Sequence, residues 1–269
     1  MKKKISLLLL LALLLANFTQ AQKSLASNLN GLEFSDMAVL KQQTQEAILQ
    51  GNDDRIRIGN PMQYPWTTIC KVKATFPDGS VSEGTGTMFC KNGVLTAAHV
   101  VYNTLNRSRA DFIEVYPAYE QGASAFGSAE VSRSWIYPDY KVNLTDGLDV
   151  AFLELATNLG ERTGWMGLLA DSEIDLESSA VFMAGYPGDL DDGEQMYFGF
   201  GDISDASDGE VFHSVDTYNG MSGAGIFRRY NGGMYIVGVH TGGAAGYSNW
   251  GVRIKPFMID WVLATFFNK

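Results

Sequence analysis

From Trp66 onward the chain is broken into short apolar runs, among them "TTICKVKATF", "GTGTMFC", "DVAFLEL", "AVFMAGY", "GAGIF" and "MYIVGVH", separated by Gly, Asn, Asp and Pro. Runs of this length, rich in β-branched and aromatic residues and punctuated by turn formers, leave no room for long helices and predict an all-β barrel or sandwich. With 269 residues and 46% hydrophobic content the chain can bury a sizeable core. The end reads differently. "PFMIDWVLATFFNK" opens with Pro256, and Ile259, Val262, Leu263 and Phe266 recur at helical spacing, so a C-terminal helix is expected to pack on the body.

A leader precedes this body. Lys2 to Lys4, the apolar stretch Ile5 to Leu15 and the small-residue exit Thr19-Gln20-Ala21 read as a signal peptide over residues 1–21. Its apolar stretch is shorter than the ~18 residues that span a bilayer. Residues 22–47 are polar, poor in aromatics and weakly helical in pattern, and are read as a pro-segment ahead of a catalytic body at 48–269. Export, to the medium or the periplasm, is the expected destination. Cys70 and Cys90 flank the turn-like "FPDGS" (Phe76 to Ser80), and in an exported chain a structural disulfide between them is expected.

Charge excludes some partners. The formal net charge is -10, and residues 1–47 carry five lysines and three acids, so the body holds -12. Nucleic acid and anionic membrane surfaces are poor partners for such a surface. The acidic "GDLDDGE" (Gly188 to Glu194) has the wrong spacing for a calcium cage and reads as a solvated loop.

Three short stretches carry chemistry. His99 follows an apolar run in "GVLTAAHVVYN", Asp149 precedes one in "TDGLDVAFLEL", and Ser222 stands among glycines in "NGMSGAG". Taken singly, each is more readily a structural histidine, a strand-start cap and a turn serine. Together they supply a hydroxyl, a base and a carboxylate that orients the base, and no metal or organic cofactor is needed. Their chain order, His then Asp then Ser at intervals of 50 and 73 residues, is that of barrel-type serine proteases.

With "GNDDRIRI" (Gly51 to Ile58), "TAAHVVYN", "DVAFLEL", "GYPGD" (Gly185 to Asp189), "DTYNGMSG" (Asp216 to Gly223) and "VHTGG" (Val239 to Gly243) in this order, the body resembles the V8-type glutamyl endopeptidases, bacillary forms above all, of the trypsin-like serine protease superfamily. The resemblance implies a double β-barrel of the chymotrypsin/trypsin-like type, its barrels meeting near residues 158–178. His99 and Asp149 would come from the first barrel and Ser222 from the second. It implies an oxyanion hole from the amides of Gly220 and Ser222, and a pocket in which His240 and Thr217 receive a glutamate side chain. It also implies a protein or peptide substrate and a monomeric enzyme. Asp216 conflicts with this. Six residues before the nucleophile, trypsins keep an aspartate that selects Arg or Lys, and a carboxylate pointing into the pocket would repel glutamate. Arg/Lys cleavage and a non-catalytic binding module therefore stand as the alternatives. Asn219, Met221 and Ala224-Gly225 depart from the usual pattern around the serine.

Overall fold

The structure is a computed structural model that describes Leu49, residues 53–244 and residues 248–267. The expected signal peptide and pro-segment lie outside the described residues. The first described strand is β1 (Ile56–Arg57). It is followed by β2 (Ile69–Thr75), β3 (Val81–Cys90) and β4 (Gly93–Thr96), the short hairpin β5 (Tyr102–Asn103) and β6 (Ser108–Arg109), and β7 (Phe112–Pro117). A second short hairpin, β8 (Tyr119–Glu120) and β9 (Ala123–Ser124), leads to β10 (Ala129–Ile136) and β11 (Ala151–Leu155). The strands β10-β11-β4-β3-β2-β7 form a closed barrel. Its interior is filled by small and branched side chains such as Val72, Ala74, Met88, Val94, Val115 and Leu153, all fully buried.

The "FPDGS" stretch makes the expected tight connection between β2 and β3. Gly79 adopts φ +81 there, its N–H donates to Phe76 O at 2.9 Å, and Ser80 N–H donates to the Asp78 carboxylate at 2.9 Å. Only a residue without Cβ takes that backbone angle cheaply.

After β12 (Gly167–Leu168) come β13 (Ala180–Gly185), β14 (Tyr197–Ala206), β15 (Glu210–His213), β16 (Gly225–Tyr230), β17 (Gly233–Gly243) and β18 (Asn249–Arg253). They run in the order β14-β13-β16-β17-β18-β15, and the β14–β15 pairing closes this second barrel, with β1 added on β14 and β12 on β17. Val181, Met183, Val211, Ile226 and Val237 fill its interior. A third cluster includes Phe89 and Phe152 from the first barrel, Phe227 and Ile236 from the second, and Met258 and Phe266 from the chain end.

The C-terminal helix spans Pro256–Val262 and continues as a wider turn over Leu263–Phe267. Pro256 suits its first turn, where no N–H donor is needed. The buried stripe is Met258, Val262 and Phe266, four residues apart, while Leu263 is exposed. Phe266 meets Phe89 edge-on with ring centres 5.0 Å apart, and Trp261 meets Trp135 at 5.4 Å, which seats the helix on the first barrel.

The expected disulfide is absent: Cys70 and Cys90 are both free and buried. Strand register explains why. Cys70 stands opposite Gly86 and Cys90 opposite Gly93, so four residues of β3 separate Cys90 from the position facing Cys70. At ~3.3 Å per residue that is about 13 Å, far beyond the reach of an S–S bond. Cys70 packs inside the first barrel and Cys90 in the cluster between barrels. Burial pushes both thiols up, leaving them poor nucleophiles.

Candidate active site

β4 ends at Thr96, and the chain turns at once into a single helical turn, Ala98–Val101, that carries His99. Asp149 sits immediately ahead of β11, the neighbour of β4 in the barrel, so two paired strands deliver imidazole and carboxylate to one place. His99 Nδ1 lies 2.7 Å from Asp149 Oδ2, and the His99 backbone N–H donates to Oδ1 at 2.9 Å. Both oxygens of the buried carboxylate are thereby engaged, which fixes the ring. Burial alone would lower the basicity of His99, but the charge and hydrogen bond of Asp149, with Asp146 further off, hold its pKa above the ordinary value.

Ser222 is presented by the loop ahead of β16. Gly220 and Gly223 adopt φ +97 and +88. A Cβ on Gly220 would come within 2.3 Å of Tyr186 O, and one on Gly223 within 2.2 Å of Thr85 O. Glycine is thus required on both sides of the serine. The loop is tied to the first barrel by Thr85 N–H, which donates to Ser222 O at 2.9 Å, and by the Thr85 hydroxyl, which donates to Gly220 O at 2.7 Å. Met221 N–H donates to Tyr218 O and Gly223 N–H to His240 O. The amides of Gly220 and Ser222 make no hydrogen bond among the described residues. Asn219, the departure next to Gly220, is exposed, and its carbonyl accepts from Gly188 N–H at 2.7 Å.

His99, Gly220 and Ser222 line one cavity of about 410 Å³, together with Ser82, Glu83, Val100, Asn219 and Thr241. The Ser222 hydroxyl makes no hydrogen bond to His99 among the described residues, a looseness common in resting hydrolases, where the contact tightens when substrate arrives.

Close to the serine, where Gly223 N–H donates to His240 O, the buried atoms Thr217 Oγ1, His240 Nε2 and Thr241 Oγ1 have no hydrogen-bond partner among the described residues, and of these three residues only Thr241 lines the cavity. His240 is not alone. Its Nδ1 lies 3.2 Å from Nε2 of His213, a residue at the end of β15 that is equally buried. Burial holds the pKa of His213 down to about 3 and that of His240 well below the ordinary value, so both rings are neutral. Sequence reasoning missed His213, whose only local signal is a histidine closing the strand "EVFH", three residues before Asp216.

Asp216 does not line the cavity. It is buried, and its Oδ2 accepts the backbone N–H of Asp54 at 3.1 Å. The two carboxyl groups are also hydrogen-bonded, and partial burial together with the Asp216 charge raises Asp54 to about 6. Next to it the Arg55 guanidinium, wholly enclosed, grips Asp53 and the Asp189 carboxylate, the latter at 3.0 and 2.6 Å. "DDR" and "GYPGD" thus meet, joining the segment ahead of β1 to the loop that presents Ser222, which Gly188 N–H holds through Asn219 O. Among the described residues no three His, Cys, Asp or Glu side chains are grouped to hold a metal ion, and no helix is long and apolar enough to cross a membrane.

Comparison with known proteins agrees with this geometry. The Trypsin-like peptidase domain model matches residues 84–239, from β3 of the first barrel to β17 of the second. A glutamyl endopeptidase of Bacillus licheniformis is 29% identical over 217 residues, covering 78% of this chain and 66% of that protein. An extracellular metalloprotease of Bacillus subtilis is 26% identical over 218 residues, covering 79% and 68%. The chain thus spans about two thirds of the length of these relatives. Among solved structures, a Glu endopeptidase in complex with MPD superposes with a TM-score of 0.71 at 26% identity, covering 81% of this chain and 98% of that one. Two closed barrels, a histidine and a serine facing one cavity between them, and a family match across both barrels lead to one conclusion: the chain belongs to the trypsin-like peptidase family.

Proposed function

We propose that the protein is an exported serine endopeptidase that cuts after glutamate. Ser222 attacks the scissile carbonyl, His99 takes its proton and returns it to the leaving amine, and Asp149 keeps the ring in the required tautomer. The Gly220 and Ser222 amides hold the oxyanion, each such donor being worth ~3 kcal/mol in the transition state. No step calls for a cofactor.

The observation that carries the specificity is the pair of buried polar atoms Thr217 Oγ1 and His240 Nε2, which have no hydrogen-bond partner among the described residues. An unmade hydrogen bond in such a place costs about 1–3 kcal/mol, and a glutamate carboxylate entering the pocket would recover it. With two neutral rings 3.2 Å apart, one nitrogen donates and the other accepts. If His213 Nε2–H donates to His240 Nδ1, then His240 Nε2 carries its proton towards the vacant side, ready for a carboxylate.

The Arg/Lys reading needs Asp216 on the pocket floor, and its engagement by Asp54 speaks against that. The glutamyl endopeptidase relatives support the same choice. Maturation after the pro-segment, near Ile48, would bring "GNDDR" close to the new N-terminus, which N-terminal sequencing of secreted protein tests.

The deciding experiment is a peptide series varied only before the cut bond. A kcat/KM highest for Glu, abolished by Ser222→Ala, is expected. A preference for Arg or Lys overturns the glutamyl reading, and failure of Ser222 to react with a phosphonate reagent overturns catalysis itself.

A further inference from the structure

Glu83 lines the catalytic cavity from β3, and the triad has no use for it. What holds it is unusual. Lys71, on β2, is only 2% exposed, and its ammonium reaches Glu83 Oε2 at 2.8 Å, Glu194 Oε1 at 3.1 Å and Gly193 O at 3.0 Å. The Tyr119 ring lies 4.9 Å from the same nitrogen. Three acceptors match the three N–H bonds of an ammonium, so Lys71 has nothing left to offer a ligand. Burying a lysine is costly even when it is paired, and a solvated surface glutamate would need no such anchor. The other oxygen, Oε1, lies 3.1 Å from Lys73, the residue opposite Glu83 in the β2–β3 ladder. Burial alone would make Glu83 a weaker acid, but its hydrogen bonds to Lys71 and Lys73 outweigh that and hold its carboxyl below the usual carboxylate range.

The side of the cut bond follows from geometry. Substrate lies across Ser222, its acyl part directed to the Thr241 side of the cavity, where the proposed glutamate pocket begins. The remainder of the cavity, lined by Ser82, Glu83 and Val100 beside His99, receives the leaving-group part, because His99 must reach the departing amine.

We propose that Glu83, locked in place by Lys71, is a specificity-determining residue on the leaving-group side that favours lysine or arginine at the first or second position after the cut bond. Its carboxylate keeps lone pairs free in the cavity and 42% of its side chain exposed. Lys73 does not line the cavity and stands over the rings of Tyr116 and Tyr119, at 5.9 and 5.3 Å. Lys71 and Lys73 balance Glu83 and Glu194 in formal charge, so what substrate meets there is a fixed acceptor, the Glu83 carboxylate, in a body of net negative charge. The orientation of substrate rests on the pocket assignment above, but the charge preference is measurable whichever residue precedes the cut.

The test uses mature enzyme and quenched peptides that keep the best residue before the cut and place Lys, Gln or Glu at the two positions after it. Wild type is expected to favour Lys over Glu in kcat/KM by roughly fivefold, the size set by a half-exposed ion pair, and less at high salt. Glu83→Gln keeps a carbonyl for Lys71 and is expected to bring the ratio close to one. Lys73→Met, which removes the competing cation, is expected to leave the ratio at or above wild type. Because each ratio comes from one preparation, partial unfolding does not move it. A wild-type ratio of one or below, a ratio unaffected by Glu83→Gln, or a fall with Lys73→Met overturns the proposal. A wild-type enzyme that does not select Glu before the cut overturns the glutamyl reading instead.

Discussion

Nε2 of His213 faces Nδ1 of His240 across 3.2 Å in a fully buried site, and the far nitrogen of each ring has no hydrogen-bond partner among the described residues. The pair joins the end of β15 to β17, and the His240 carbonyl in turn accepts the N–H of Gly223, next to Ser222. Under the proposed function, removing His240 would take the main donor from a substrate carboxylate, whereas altering His213 would leave the donor but free its tautomer.

His240→Ala is therefore expected to lower kcat/KM on glutamyl peptides by roughly 100-fold, the equivalent of a charged hydrogen bond of about 3 kcal/mol, and on glutamine peptides by much less. His213→Gln is expected to fall between the two. Steady-state kinetics with paired Glu and Gln peptides checks both. Equal losses on the two peptides would assign the histidines to packing alone.

The Asp54–Asp216 contact predicts an unusual pH dependence of stability. Partial burial and the neighbouring Asp216 and Asp53 charges raise the Asp54 carboxyl to about 6 in the folded protein, above its ordinary value of 3.8. The folded state thus binds this proton more tightly, so the contribution is complete below pH ~4 and is lost as pH rises through about 6. Of the other charges packed here, Arg55 is committed to Asp53 and Asp189 and offers no relief. In the inactive Ser222→Ala background, Tm is expected to decline between about pH 4 and 6. Asp54→Asn, which keeps a donor for Asp216, is expected to flatten that decline and raise Tm at pH 8. Thermal melts across this range decide it, and a parallel decline in both proteins would rule the pair out as its source.

What the sequence disclosed and what it hid have physical reasons. His99, Asp149 and Ser222 each sit in a local pattern that dictates local geometry: strand into turn, turn into strand, serine between glycines. The strand texture and Pro256 likewise act within a few residues. The cysteine pairing depended on register, since the hairpin is centred on Asp78 whereas Cys70 and Cys90 are centred on position 80. A two-residue offset was enough to separate them. Asp216 was ambiguous because its partner, Asp54, lies 162 residues away. His213 was missed because the burial that makes it matter comes from strands not adjacent in the chain.

The free thiols of Cys70 and Cys90 give a direct check on that register. Titration of denatured, unreduced protein is expected to find both thiols, and reductant is expected to leave Tm unchanged. If a bridge existed, its reduction would cost on the order of 2–4 kcal/mol and lower Tm by several degrees.

Arg55 offers the most severe test of the link between the segment ahead of β1 and the loop that presents Ser222. Its side chain is completely enclosed, with Asp189 at 2.6 Å and Asp53 at 2.9 Å. Asp189 follows Gly188, whose N–H holds the carbonyl of Asn219, and Gly220 comes next. Loss of the guanidinium leaves Asp189 beside Asp53 with no counter-charge, and breaking such a pair from one side costs about 3 kcal/mol or more. Arg55→Met is thus expected to lower Tm markedly and to reduce kcat more than it raises KM, because the loop that carries an oxyanion donor loses its anchor. Adding Asp189→Asn removes the stranded charge and is expected to recover part of the stability but little of kcat, since the anchor is still missing. Melts and steady-state kinetics on the single and double variants separate the two effects. Full recovery of kcat in the double variant would mean that Arg55 acts only by neutralising Asp189.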